Sequence, residues 1–243
     1  MKRMLCLAFA ALLLLTGCAG SVDNQESATA RTPEPTQEVE ETVGSIALGE
    51  AKVKTFKNSI GTVWVQVIAS IENTGNCNVY LSNCKADLES SDGTLLDTIT
   101  LEPYPQIIAP GETAYYYRET TLDISEPENI NAEVRPDAYE ADVDQILFRV
   151  SDVALSEDDY RDIKVVGRVE NETADDYSFV YVVVVLRDAN GDPVGIIYTI
   201  LDEDLPAGEK IGWKASEYVL PDDISMDIVE SWDVYAYPYQ FQF

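Results

Sequence analysis

Alternation of apolar and polar residues dominates the chain beyond residue 43. In VQVIASIENTGN (Val65–Asn76), Val65, Val67, Ala69 and Ile71 are apolar or small and occupy every second position. IKVVGRVENETA (Ile163–Ala174) repeats the pattern with Ile163, Val165, Gly167 and Val169. Period-two alternation places such residues on one face of a β-strand. Both runs then reach Glu-Asn, at Glu72-Asn73 and Glu170-Asn171, an offset of 98 residues. The same offset joins LESSDG (Leu88–Gly93) to LRDANG (Leu186–Gly191), and an offset of 97 joins APGE (Ala109–Glu112) to PAGE (Pro206–Glu209). Ordered anchors at nearly one offset predict an internal repeat, with β domains over 44–137 and 143–243.

FVYVVVVLRD (Phe179–Asp188) breaks the alternation, because both of its faces are apolar. That predicts a strand covered on both sides, or one passing under a partner domain. Asn190-Gly191 predicts a tight hairpin turn. Further strands are predicted over Pro193–Leu201, Lys210–Ser216 and Trp232–Phe241. About seven strands per 100 residues, with no long helical pattern, predict two tandem immunoglobulin-like β-sandwiches. The connection AYEAD (Ala138–Asp142) is short and predicts end-to-end packing with little swing.

The first 43 residues follow other rules. Lys2 and Arg3 precede an apolar run of 11 residues, Leu5–Leu15. A bilayer span needs about 20 residues, so this run has the length of a secretory signal's apolar region. It ends in Leu15-Thr16-Gly17-Cys18, which resembles the lipobox of bacterial lipoproteins. The resemblance implies a signal peptide over 1–17 and lipid on the sulfur of Cys18, tethering the chain to a membrane outside the cytoplasm. Residues 18–43 are rich in Ser, Thr, Pro, Glu and Gln. They predict a disordered acidic linker that reaches roughly 25–30 Å.

The repeats also resemble the FxLYD domains of bacterial and archaeal cell-surface proteins. In the second copy the matching residues are Gly167, Val169, Asn171, Leu186, Asp188, Gly191, Gly208 and Trp213. In the first they are Ala69, Ile71, Asn73, Leu88, Gly93, Gly111 and Tyr116. Val184 and Arg187 depart from the family's Phe and Tyr, and Ser91 and Asp92 are displaced around the first copy's turn. The resemblance implies an immunoglobulin-like fold and carries no catalytic residues.

Charge and inventory narrow the function. The chain holds 16 Lys+Arg against 44 Asp+Glu, a net charge of −28. Loss of residues 1–17 would remove Lys2 and Arg3 and take it to −30. Nucleic acid and anionic headgroups repel such a surface, so attachment falls to the lipid at Cys18. The chain has no His, which excludes Ser-His-Asp and Cys-His nucleophile systems. No phosphate-binding or dinucleotide motif is present, and no cofactor or metal is implied. In DANGD, Asp188, Asn190 and Asp192 echo a calcium loop, but its twelfth position is Thr199 rather than Glu. Asn171-Glu172-Thr173 is formally a glycosylation sequon and reads as turn chemistry.

Cys77 and Cys84 can pair only if the chain bends between them, since a bridge needs Cα atoms within about 7 Å. Otherwise Cys84 is a small buried hydrophobe and Cys77 a loop thiol. Tyr115, Tyr116 and Tyr117 share a strand and alternate faces. Tyr115 and Tyr117 either fill a seam between the repeats or present aromatics to a partner. The expectation is a non-enzymatic, lipid-anchored binding or spacer protein of the bacterial surface with a protein or glycan partner. The alternatives are a ligand-capture lipoprotein serving a transporter and an envelope assembly factor.

Overall fold

A computed structural model describes residues 44–157, 163–216 and 226–240. They form fourteen strands and no helix: β1 (Ile46–Leu48), β2 (Lys52–Lys57), β3 (Val63–Asn73), β4 (Val79–Ser90), β5 (Leu95–Tyr104), β6 (Ile107–Ile108), β7 (Thr113–Leu122), β8 (Ile130–Glu140), β9 (Arg149–Glu157), β10 (Ile163–Glu170), β11 (Val180–Arg187), β12 (Pro193–Ile200), β13 (Lys210–Ser216) and β14 (Ser231–Pro238). All named pairings are antiparallel.

The repeat read from sequence reappears in the pairing. In the first copy β3 lies between β2 and β7, and β4 between β5 and β8. In the second, β10 lies between β9 and β13, and β11 between β12 and β14. Each copy is therefore two sheets enclosing a core. The first core holds Val65, Val67, Ala69, Ile71, Leu81, Cys84, Ala86, Leu88 and Tyr116. The second holds Ile163, Val165, Val169, Val180, Val182, Val184, Leu186 and Trp213. These are the alternating positions of the pattern, and pleating is what sends them to one side.

The copies differ at one corner. Residues Cys84–Glu89 of β4 pair with the body of β5, but Glu102–Tyr104 at the end of β5 pair with Tyr115–Tyr117 of β7. That crossover joins the two sheets of the first copy. Among the described residues β12 and β13 share no such pairing, and a groove of about 270 Å³ lies between them, beside Ile200, Leu201 and Trp213.

The short connection does not produce end-to-end packing. β8 runs to Glu140, pairing Tyr139 with Tyr80 and Glu140 with Val79, so much of the expected connection belongs to a strand. The chain then passes over, and the described residues of both repeats form one compact unit. The outward face of β3, β7 and the β5 end packs on the outward face of β11, β12 and β14. Ile68, Tyr104, Tyr115 and Tyr117 meet Val183, Val185, Ile196 and Tyr237 there. β11 is consequently buried on both sides, its even-numbered residues in its own core and Val183 and Val185 in the seam. That is the origin of its unbroken apolar run.

One side chain recurs at the same place in both sandwiches. Asn73 and Asn171 are both fully buried. Asn73 Nδ2 donates to the carbonyls of Cys77 (2.8 Å) and Ile108 (2.9 Å), and its Oδ1 accepts from Gly75 N (3.0 Å). Asn171 Nδ2 donates to the carbonyls of Asp175 (2.7 Å) and Leu205 (3.1 Å), and its Oδ1 accepts from Thr173 N (3.0 Å). Ile108 belongs to β6, which pairs with β4, whereas Asn73 ends β3. The amide therefore ties one sheet to the other and fixes the loop between. Burial in this network also leaves Asn171 inaccessible as a glycosylation acceptor.

Removing either amide should cost more than an ordinary surface change. Asn171→Ala or Asn73→Ala leaves a buried carbonyl, at Leu205 or Ile108, and a part-buried loop carbonyl short of a donor, a loss of roughly 2–4 kcal/mol. For a domain of this size that corresponds to a fall in Tm of about 5–15 °C. Asn→Asp should be similarly harmful, because a carboxylate cannot donate to either carbonyl. Thermal unfolding by circular dichroism measures this; variants within about 2 °C of the parent would contradict the staple role.

Candidate binding site at the seam of the two repeats

The seam is apolar at its centre and tyrosine-rich at its rim. Tyr115 and Tyr117 project from β7 on the side opposite Tyr116, as alternation requires. They are 3% and 5% exposed. The partner-surface alternative therefore does not apply to them: they fill the contact between the repeats. Tyr116 turns into the first core, its hydroxyl 2.9 Å from the Ser82 carbonyl and 3.1 Å from that of Asp137. Those carbonyls flank the register shift between Ser82 and Lys85, where β4 and β8 lose their regular pairing. Trp213 takes the place of Tyr116 in the second core, lying over Gly167, where an added Cβ would come within 2.7 Å of the indole.

Arg187 is the polar clasp of the seam. Its Nε donates to Asp233 Oδ2 at 2.7 Å and its Nη1 to the Gly191 carbonyl at 2.8 Å. Its Nη2 donates across the seam to the Tyr115 hydroxyl, and the guanidinium carbon lies 5.6 Å from the centroid of that ring. Its side chain thus serves contact between the repeats. Lys52 and Asp192 also face each other across the seam at 3.8 Å, but both are about half exposed, so the pair adds little.

At one rim of the seam both repeats line a cavity of about 230 Å³. The first copy supplies Asn83, Glu102, Pro103, Tyr104 and Gln106, and the second Tyr181, Tyr237 and Tyr239. Tyr181 lies almost parallel to Tyr237, at 9° with centroids 5.8 Å apart, and Tyr239 is also 5.8 Å from Tyr181. Tyr104 stacks on Tyr198 at 5.2 Å. Burial raises the ionisation of Tyr104, Tyr181 and Tyr237 further above the ordinary phenol range, so all three stay neutral in water near pH 7. Glu102 accepts from the Tyr104 hydroxyl (2.8 Å) and from Arg118 Nη1 (3.2 Å). Gln106 Oε1 is buried and has no hydrogen-bond partner among the described residues.

These rim residues were not singled out from the sequence. A signal was present in YAYPY, where Tyr235, Tyr237 and Tyr239 alternate and line one face. The other sequence candidates fall elsewhere. Asp188 is the pivot of a hairpin turn, its Oδ1 accepting from Asn190 N and Asp192 N at 2.9 Å each, while Gly191 takes φ of 82°. Cys18, the signal peptide 1–17 and the linker 18–43 lie outside the described residues.

Cys77 and Cys84 are free thiols. β4 is extended from Val79, so the bend that a bridge would need is absent. Five strand steps from Val79 to Cys84 alone cover about 16 Å, well beyond the reach of a bridge. Cys84 is buried in the first core, where desolvation, with Asp137 nearby, pushes its thiol up to about 12. Burial, with the charge of Glu140, also raises Cys77.

Two outcomes follow from this geometry. Alkylation of the unfolded chain without reductant should modify both Cys77 and Cys84 by mass spectrometry, and in the native state at pH 8 Cys84 should stay unmodified. A mass two hydrogens lighter after unfolding would show a bridge. Arg187→Met should cost about 1.5–3 kcal/mol, the range for hydrogen bonds to a charged group. Hydrogen exchange should then rise at β7 and β11 together while β4 is unaffected; unchanged seam protection would refute the clasp. As for likeness to other proteins, no family model matches the chain, and no curated protein matches it either.

Proposed function

We propose that this is a lipid-anchored, extracytoplasmic, non-enzymatic protein of the bacterial cell surface whose two FxLYD-like repeats act as one binding body. The observation that carries the reading is the run Leu5–Leu15 ending in Leu15-Thr16-Gly17-Cys18, with a polar, acidic stretch behind it. A thiol at the end of a short apolar run, preceded by small residues, is the chemistry that lipid transfer and cleavage require. The seam supports a binding role over a spacer role. A spacer needs only linked domains, whereas here two repeats interlock and frame a cavity of convergent polar groups, the usual form of a ligand site. The charge of −28 favours partners other than nucleic acid.

Cys18→Ser should release the protein from the membrane fraction, or hold it as the uncleaved precursor, while the parent labels with a fatty-acid probe. Unchanged lipid labelling in the variant would overturn the anchoring. Crosslinking on intact cells tests binding: the parent should recover an envelope component. Recovery of none, together with measurable turnover of an envelope polymer, would replace the binding reading with an enzymatic one.

A further inference from the structure

The rim cavity restricts what it can hold. Glu102 borders it, but both carboxylate oxygens are engaged, one by the Tyr104 hydroxyl and one by Arg118. A ligand ammonium finds no uncompensated anion there. An anionic ligand meets that carboxylate and a chain of net charge −28. What the cavity offers is neutral: the side-chain amides of Gln106 and of Asn83, which lies in the β4 bulge, and the tyrosine side chains. Beside these groups lie Tyr181 and Tyr239, the half-buried tyrosines of the rim.

Neutral donors and acceptors around an aromatic wall complement a ring with apolar C–H faces and a hydroxylated edge. A pyranose has that form. The size agrees with a small unit, since about 230 Å³ lies below the roughly 300–1,000 Å³ of sites for drug-sized ligands. We infer that the cavity binds one neutral sugar residue of a glycan, Gln106 and Asn83 holding its hydroxyls and the tyrosine wall packing on its ring. The assignment rests on the binding-protein reading and names its ligand class. Because the two repeats supply different walls, the site exists only while they are docked.

The test uses the full chain in detergent, with the methyl glycosides of glucose, galactose, mannose and N-acetylglucosamine as probes and choline and glucuronate as charged controls. Saturation-transfer NMR and calorimetry should show binding of at least one glycoside and neither control. Gln106→Leu should weaken that binding by about tenfold, the worth of one or two hydrogen bonds. The same variant should hold or raise Tm, because it removes a buried carbonyl that has no partner; a glutamine with a structural role would lower it. Asn83→Ala, at an exposed position, should weaken binding with Tm unchanged. Equal glycoside binding in both variants, preference for choline or glucuronate, or no glycoside binding at all would each overturn the assignment. If glycosides fail while intact-cell crosslinking still recovers an envelope partner, the sugar assignment falls and the binding reading stands. If both fail, both fall.

Discussion

A buried primary amide has two donors and an acceptor, and an apolar interior punishes each one left unmade. Asn73 and Asn171 meet that demand in full, and the ends of both sandwiches are built around doing so. Their donors reach a carbonyl of the following loop and a carbonyl on the opposite sheet. Their backbones grip the next turn: Asn73 N donates to the Glu112 carbonyl and Gly111 N to the Asn73 carbonyl, with Glu209 and Gly208 in the same roles around Asn171. Gly111 and Gly208 take φ of 79° and 73° to make that turn, a conformation that costs glycine little. One residue type thus specifies a loop, a turn and the joining of two sheets. Ser, Asp or Thr at either position could not make the same set of bonds.

The second constraint is that an apolar face must be covered. β11 carries two such faces, so a single sandwich built around it would expose Val183, Val185 and Ile196. Fully burying each such side chain contributes about 1.5–3 kcal/mol before ordering costs. The first repeat supplies the cover with Ile68, Tyr115 and Tyr117, and Arg187 satisfies the Tyr115 hydroxyl at the edge of the contact. The docking is therefore specified by apolar parity and closed by a polar clasp.

Legibility in the sequence followed the range of the interaction. The all-β class, the strands after residue 163 and the equivalence of the repeats were readable, because alternation and turn residues act within a few positions. The meaning of Glu-Asn as a staple was not, since the carbonyls of Ile108 and Leu205 lie 35 and 34 residues away. The expectation of end-to-end packing failed for a definable reason. It weighed the length of the connection and not the chemistry of the faces. Even the stretch 141–148 can reach roughly 26 Å when extended, enough to carry the second repeat over a sheet of the first. The doubly apolar Phe179–Asp188 held the correct answer, and Tyr115 and Tyr117 held its counterpart. The cavity was the least legible part, because its walls come from residues up to 156 positions apart, Asn83 and Tyr239.

Two copies that dock by unlike faces raise the problem of where docking stops. A contact between different surfaces of related units propagates unless something closes it. Here the divergence of the repeats closes it. The seam positions Val183 and Val185 on β11 correspond to Lys85 and Asp87 on β4, and Ile196 corresponds to Thr98. On the outer face of the first copy, Asp87 accepts from Arg135 and Thr98, and Lys85 donates to Thr100. Tyr115 and Tyr117 correspond to Gly212 and Lys214 of β13, and that outer face also carries Arg168 paired with Asp152 and Lys210 paired with Glu170. Each repeat thus keeps one adhesive sheet and one charged sheet, and the adhesive ones are on opposite sides of the two copies. Placed together they bury each other and leave charge outward at both ends, as capping units do in longer repeat arrays. The positions that make the seam apolar in one copy hold charged or polar residues in the other, so each copy docks by a single sheet.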